Sequence, residues 1–299
     1  MAYSPAADIT ITEALVRHLL RDAALPYADE PLRLAFAGWD NEMWRVGSSR
    51  AVRLPRRDVA VPLIDHEQLV LPRLARLLEP TGVQVPVPLA AMEPSRRFAR
   101  PWSVVPWFDG GAALTQPRAE RTAWAPQLAV ALSALHVPAD ADAPLNPVRG
   151  QALATRDDAM RGRLASAHFP AEISAAWDAA LDAPVWAQAP VWVHGDLHPG
   201  NLVTSDDRLV AMVDFGDVTA GDPAYDLAAA WIVFDVEGRS AFMEASAHVD
   251  SATWVRARGW AAAIGVTLSV HSDDRADYAR LGAEIIAEVS GDGELASGR

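Results

Sequence analysis

Cysteine is absent from this 299-residue chain, which removes disulfide scaffolds, thiolate metal sites and cysteine nucleophiles and permits a reducing compartment. Lysine is absent too: all 26 basic residues are arginine. A phosphate-binding loop of the usual lysine-bearing kind is therefore excluded, because the amine that reaches the phosphates is missing. No apolar run approaches the roughly 18 residues of a membrane span. The opening MAYSPAADIT has no basic stretch followed by an apolar one, so neither a secretory leader nor a membrane is expected. A cytoplasmic location follows as the expectation.

What the chain does contain is 51% hydrophobic and 22% charged residues, a balance that folds, at a length suited to one large domain or two lobes. Against the arginines stand 39 acids, for a net charge of −13. From residue 190 onward, 18 acids face 7 arginines (−11), leaving 21 against 19 (−2) before it. Nucleic acid is an unexpected partner for such a surface, and a cationic small molecule fits it, although composition bias and solubility also produce this charge.

Repeats are missing, so organisation must come from changes in pattern. Up to about residue 106 the chain shows short β-type segments at 32–37, 42–46, 51–54 and 102–107, with Gly38, Asn41 and Gly47 as turn residues,. One helix interrupts them from Leu63 to Leu78; its apolar spacing is helical, and Pro72 is expected to kink it or mark an offset start,. Helical patterns then run over 121–136, 152–182, 223–234 and 240–290, around one β-rich island at 191–195, 201–205 and 208–216 with a tight turn at Ser205-Asp206-Asp207,. The expectation is an α+β, two-lobed molecule: a small β-rich lobe (1–106), a larger, mostly helical lobe (107–299), and a cleft between.

The chemistry concentrates in the island. It reads His194-Gly195-Asp196-Leu197-His198-Pro199-Gly200-Asn201 and then Asp214-Phe215-Gly216, the spacing H-x-D-x-x-x-x-N followed by D-F-G. Phosphoryl transfer needs a carboxylate that orients the attacking hydroxyl and oxygen ligands for magnesium. Asp196, Asn201 and Asp214 supply those parts.

These residues resemble the aminoglycoside phosphotransferase family, small-molecule kinases with a protein-kinase-like fold. The resemblance is carried by VHGDLHPGNLV (193–203), VDFGD (213–217) and GDPAYDLAAAW (221–231), with weaker agreement in WDNEMWRVG, AVRLPRR, PWSVVPWFDGG and LSALH. It implies Asp196 as catalytic base, Asn201 and Asp214 as Mg2+ ligands, ATP or GTP as phosphate donor, and the segment from Val105 to Trp107 as the hinge whose backbone holds the purine. Arg53 matches the phosphate-gripping basic position and Glu67 its acidic anchor, with arginine replacing the lysine of protein kinases. The residues agree: Val52 and Leu54 share a strand face opposite Arg53, and Glu67 lies on the helix side of Leu71 and Leu74. The early loop around Asn41, which lacks the multi-glycine pattern of protein kinases, is expected by the same resemblance to cover the nucleotide phosphates with its backbone.

Other readings compete at several positions. His194 is expected to brace the loop rather than shuttle protons. The His194/Asp196/His198 set taken alone would suit a transition-metal hydrolase, which needs neither Asn201 nor the D-F-G spacing. Asp222 and Asp226 read as structural, and His136 as a helix C-terminal cap. Asp217 either approaches substrate or metal or faces solvent. Most of the 11 tryptophans should be packing, with Trp231, Trp254 and Trp260 the candidate substrate walls. Acidic Asp235 and Glu237 would favour a cationic acceptor. An aminoglycoside is the first expected acceptor, with macrolides, other antibiotics and metabolites such as choline as the alternative. A protein kinase is disfavoured because no A-P-E-like anchor follows D-F-G. A catalytically silent nucleotide-binding regulator is disfavoured because Asp196, Asn201 and Asp214 are all present.

Overall fold

The short β-type segments of the first 106 residues build a five-stranded antiparallel sheet in the computed structural model, which describes residues 6–272 and 275–296. The first five and last three residues of the expected lobes lie outside the described residues. Strands β1 (Leu32–Ala37), β2 (Asn41–Val46), β3 (Arg50–Pro55), β4 (Ala90–Met92) and β5 (Trp102–Pro106) pair in the order β1-β2-β3-β5-β4. β3 lies at the centre and is buried from Ala51 to Pro55. Its Val52 and Leu54 enter one apolar cluster with Trp44, Val46, Trp102 and Val104. Arg53 takes the opposite face, as alternation demands.

Helix α1 (Glu13–Asp22), missing from the sequence expectation, covers that cluster with Val16, Leu19 and Leu20. Its signals are present in the chain: Thr12 Oγ1 accepts from the Leu15 amide at 3.2 Å, and the apolar positions recur at three and four residues. Helix α2 (Val61–Leu78) runs on through Pro72, which sits on its exposed side. Its buried face, with Val70, Leu71, Leu74 and Leu78, joins the second and larger cluster.

That larger cluster gathers α3 (Ala125–Leu135), α4 (Asp157–Ser166), α5 (Ala171–Asp182), the short α6 (Ala224–Leu227) and α7 (Ala229–Ile232), α8 (Val236–Ala245), α9 (Ser251–His271) and α10 (Ala276–Ala296). The long α9 is its axis, packed on α4, α5, α6 and α10. Among the described residues no helix is long and apolar enough to cross a membrane.

The expected β island is two small sheets rather than one. Strands β6 (Gly111–Ala112), β8 (Leu202–Ser205) and β9 (Arg208–Met212) form one, and β7 (Val191–Val193) pairs with β10 (Thr219–Gly221) in the other. The β8–β9 turn is tight as expected: Asp206 and Asp207 both take positive φ, 47° and 60°, the twist-compatible geometry of a two-residue hairpin loop. β9 ends at Met212, short of the expected Gly216, because Asp214 itself turns with φ 65°. Asp214 is therefore presented from a loop.

One buried ion pair ties α9 to the loop after β10. Arg256 donates to Asp222 through Nε (2.7 Å) and Nη2 (3.2 Å), and to the Pro184 carbonyl at 2.6 Å. This is the structural role expected of Asp222. Arg256→Leu would leave a buried carboxylate without its partner and is expected to cost about 3–5 kcal/mol of stability. Urea unfolding followed by tryptophan fluorescence measures it; a loss below about 1 kcal/mol, the scale of an exposed pair, would show that this pair is not the tether.

Candidate active site

Two loops meet where the two small sheets end: residues 194–201, between β7 and β8, and residues 213–218, between β9 and β10. Gly195 allows the approach. Its φ is 83°, and a Cβ there would meet the Asp217 carbonyl oxygen at 2.3 Å. Fully buried Asp226 accepts from the backbone amides of His194 (2.7 Å) and Gly195 (3.1 Å), so one carboxylate fixes the start of the first loop. His136 Nε2 lies 3.2 Å from the same carboxylate. His136 follows the last residue of α3, as a cap should, but its ring braces Asp226.

His194 joins the two loops. Its Nδ1 accepts from the Asp196 amide at 3.2 Å, and its Nε2 lies 3.1 Å from the Val213 carbonyl. A carbonyl can only accept and an amide can only donate, so this geometry assigns the proton to Nε2 and the ring to the neutral form. His194 thus acts as the expected brace.

Asp196 sits at the junction with its side chain 31% exposed to the cleft. Asn201 Nδ2 donates to the Asp196 carbonyl (2.8 Å) and to its Oδ2 (3.3 Å). Arg149 Nη2 lies 3.3 Å from Oδ1, and His198 Nε2 3.6 Å from Oδ2. Burial acts to raise the Asp196 carboxyl, but the nearby His198 imidazole and the charge of Arg149 outweigh it and hold it well below the usual carboxylate range,.

Asp214 faces Asp196 from the second loop, with its side chain 46% exposed. Arg53 Nη2 donates to its Oδ1 at 2.7 Å, and Arg53 Nε lies 3.0 Å from Glu67 Oε2, an ion-pair contact rather than an aligned hydrogen bond. β3, α2 and the second loop therefore meet on one guanidinium. Burial pushes the Glu67 carboxyl up, to about 7, against the opposing charge of Arg53. Arg53 is pushed above its ordinary range: burial acts to lower it, and Glu67 and Asp214 overcome that.

A continuous cleft of about 1100 Å³ passes over these groups. Asn41, Arg53, Glu67, Val105 and Trp107 line its sheet side, and Asp196, Asn201, Asp214 and Asp217 its floor. Among the described residues, Asn41 Oδ1 is buried without a hydrogen-bond partner. Of the backbone expected to hold a purine, the Trp107 amide already donates to the Ser49 carbonyl at 2.9 Å, and the Trp107 ring stacks under Arg45 at 4.7 Å. Asp217 accepts from Asn146 Nδ2 at 2.7 Å; burial raises its carboxyl against the opposing charge of Arg149. It faces the cleft rather than open solvent.

Two sequence-derived candidates lie elsewhere. Trp231 is buried, packed edge-on against Trp254 with ring centroids 6.3 Å apart, and its Nε1 donates to Asp292 at 2.5 Å. Asp235 caps α8, accepting from the Gly238 amide at 2.9 Å. Neither lines the cleft: α7 belongs to the packed interior, and Asp235 is engaged as the cap of α8. Trp254 packs with them. Of the three tryptophans, Trp260 alone reaches the cleft, against Tyr225 at 4.8 Å.

A family model described as the phosphotransferase enzyme family matches residues 32–260. The chain belongs to this family. No curated protein sequence matches it, but solved structures share its two-lobed, kinase-like fold. The GDP and kanamycin complex of APH(2″)-IIIa has 17% identity and a TM-score of 0.64, covering 91% of this chain and 99% of that one. The macrolide 2′-phosphotransferase MphH from Brachybacterium faecium has 22% identity and a TM-score of 0.62 (92% and 98%). A type I macrolide 2′-phosphotransferase has 21% identity and a TM-score of 0.66 (94% and 99%).

The most consequential residue of this phosphotransferase that the sequence reading missed is Arg149. It stands in the aperiodic loop PLNPVRGQ (144–151), where no pattern flags it. The loop is seated by two glycines in contact: Gly150 has φ 64°, and a Cβ on Gly221 would meet the Gly150 carbonyl oxygen at 2.4 Å. Arg149 then donates to the Tyr225 hydroxyl at 2.6 Å and reaches both Asp196 and Asp217. Because its charge helps keep Asp196 ionised, Arg149→Gln is expected to move the Asp196 carboxyl upward toward its ordinary value near 4. The depressed carboxyl contributes stability that is present above that value and lost as pH falls through its lower folded-state pKa; the variant should lose this contribution at higher pH. Carboxyl-carbon NMR titration of both proteins reads the shift, and identical curves would remove Arg149 from the electrostatics of Asp196.

Proposed function

We propose that this phosphotransferase moves the terminal phosphoryl group of ATP or GTP to a hydroxyl of a small molecule, with Mg2+ as cofactor and Asp196 as catalytic base. The observation that carries the reading is the convergence of Asp196, Asn201 and Asp214 on the floor of one cleft.

The donor set suits magnesium. Asn201 engages Asp196 through Nδ2, leaving its Oδ1 unbonded, and Asp214 uses Oδ1 on Arg53, leaving its Oδ2 unbonded, among the described residues. A carboxylate and an amide oxygen are hard ligands. Among the described residues no group of three or more His, Asp or Glu could hold a metal by itself, as befits an ion whose remaining ligands are phosphates and water. Bound there, magnesium would neutralise charge on the phosphates.

The chain's own residues divide the rest. Arg53, anchored by Glu67, presents a cation to the phosphates, and Asn41, with its buried unpartnered oxygen, offers an acceptor to the nucleotide on the sheet side. Asp196 accepts the hydrogen bond of the acceptor hydroxyl and orients its oxygen in line with the phosphorus. As the new oxygen–phosphorus bond forms and the bond to the nucleoside diphosphate breaks, the hydroxyl proton passes to Asp196. Its depressed pKa suits orientation more than early proton removal, consistent with a transition state in which the acceptor proton moves late. Positioning and charge stabilisation supply most of the acceleration. The kanamycin and GDP named with one similar structure, and the macrolides named with two others, make these the reference acceptors and GTP an alternative donor. A cytoplasmic setting, where nucleotide and magnesium are abundant, suits the reaction.

Mass spectrometry of hydroxylated compounds incubated with protein, magnesium and ATP or GTP tests the proposal. A phosphate-sized mass gain is expected, and Asp196→Asn should slow it about 10²–10⁴-fold with nucleotide affinity unchanged. Full turnover in Asp196→Asn would overturn the assignment of the base.

A further inference from the structure

Beyond the catalytic floor, the cleft continues between two helical stripes. From α9 come Trp260, Ala263, Ile264, Thr267, Leu268 and His271, which recur at three and four residues and so form one face. Opposite, Arg156 immediately before α4, and Met160 and Arg163 within it, repeat at four and three. One wall is mostly apolar; the other is Arg-Met-Arg.

We infer that the acceptor phosphorylated at this site is an anion with an apolar body, a hydroxylated carboxylate, held by Arg156 and Arg163 rather than a polycation held by acids. The inference rests on the phosphotransfer reading and names its acceptor class.

The charges on this side of the cleft are uneven in their pairing. Asp217 is held by Asn146 and by Arg149 at 3.8 Å, and Asp277 is held twice by Arg275, at 3.1 and 2.9 Å. Among the described residues neither Arg156 nor Arg163 has an acidic partner: Arg163 reaches only the Ala159 carbonyl (3.2 Å) and His271 Nε2 (3.5 Å). Burial and then the charge of Arg156 lower the pKa of Arg163, the direction expected for two like charges sharing a partly enclosed wall. Seven residues of helix separate their Cα atoms by about 10 Å, a span two long side chains can close around one anion. A guanidinium matches a carboxylate in bidentate geometry, and Met160, Ile264 and Leu268 supply the surface for an apolar body.

The acidity of the C-terminal region does not contradict this, because part of it is used internally. Asp222 holds Arg256, Glu284 holds Arg118 at 3.0 Å, and Glu288 and Asp292 hold Arg239 at 2.8 and 2.6 Å. The expectation of a cationic acceptor came from total charge, whereas the wall itself is basic.

Two matched pairs test the inference: tropic acid against phenylglycinol, and ω-hydroxylaurate against the amino alcohol of equal length, with tropic acid methyl ester and kanamycin as controls. Calorimetric binding in the presence of magnesium and a non-hydrolysable nucleotide is read beside mass-spectrometric transfer from ATP or GTP. The wild type should bind the carboxylate members about tenfold or more tightly than their ammonium partners, worth at least about 1.4 kcal/mol. Arg156→Gln/Arg163→Gln should abolish the preference and Arg156→Glu/Arg163→Glu reverse it, with unchanged nucleotide affinity showing that both variants fold. Preference for phenylglycinol or kanamycin, a carboxylate preference that survives in the variants, or binding of no carboxylate member would each overturn it. Carboxylate binding without transfer from either nucleotide would instead leave the anion site standing and sink the phosphotransfer reading.

Discussion

A single guanidinium holds the candidate site together. Arg53, from the central strand of the sheet, meets Glu67 on α2 and Asp214 on the loop after β9. Three separate elements are thereby fixed to one point. Burying a positive charge beside two carboxylates is costly unless each is paired, so the arrangement resists removal of any one member. The same shared charge leaves one Asp214 oxygen unbonded over the cleft, which is where the proposed function places a metal. An arginine does this work in a chain without lysine, and its planar fork suits two partners at different angles better than a single ammonium would.

The floor of the cleft depends on a second carboxylate that never meets solvent. Asp226 gathers the His194 and Gly195 amides, and His194 then ties its own loop to Val213 in the other. The residues proposed to react are thus held by groups one step removed from the cleft. Gly195 permits the close approach of the two loops, and the Gly150–Gly221 contact seats Arg149 beside Asp196. Orientation of a carboxylate by backbone and neighbouring side chains, rather than by its own flexible rotamers, is what positioning catalysis requires.

Much of this was legible in the sequence, for local reasons. The strands that carry Arg53 and Asn41 stand out as short β-type segments between turn residues, the turn at Asp206-Asp207 announces itself, and the spacing from His194 through Asn201 to Asp214 states which groups must converge. What escaped had no local pattern. Arg149 lies in a loop without periodicity, and its role exists only because two glycines let that loop lie against β10. Helix α1 was readable from Thr12 and its apolar spacing but is only 10 residues long. The division of the island into two sheets depends on the pairing of β7 with β10, a partnership between segments that sequence alone does not match. Trp231 and Asp235 were drawn from composition, and tertiary packing assigned them to a core and a helix cap. Net charge misled in the same way: several of the acids that dominate the C-terminal stretch face buried arginines, and a cleft wall can carry the opposite sign.

The most direct test of the account is a calorimetric titration of ATP or GTP into the wild type and Asp214→Ala, each with and without magnesium. If Asp214 presents its unbonded oxygen to a metal, magnesium will strengthen nucleotide binding to the wild type, and that strengthening will vanish in the variant while metal-free binding is not weakened. Equal dependence on magnesium in the two proteins would contradict the placement of the metal on which the proposed chemistry stands.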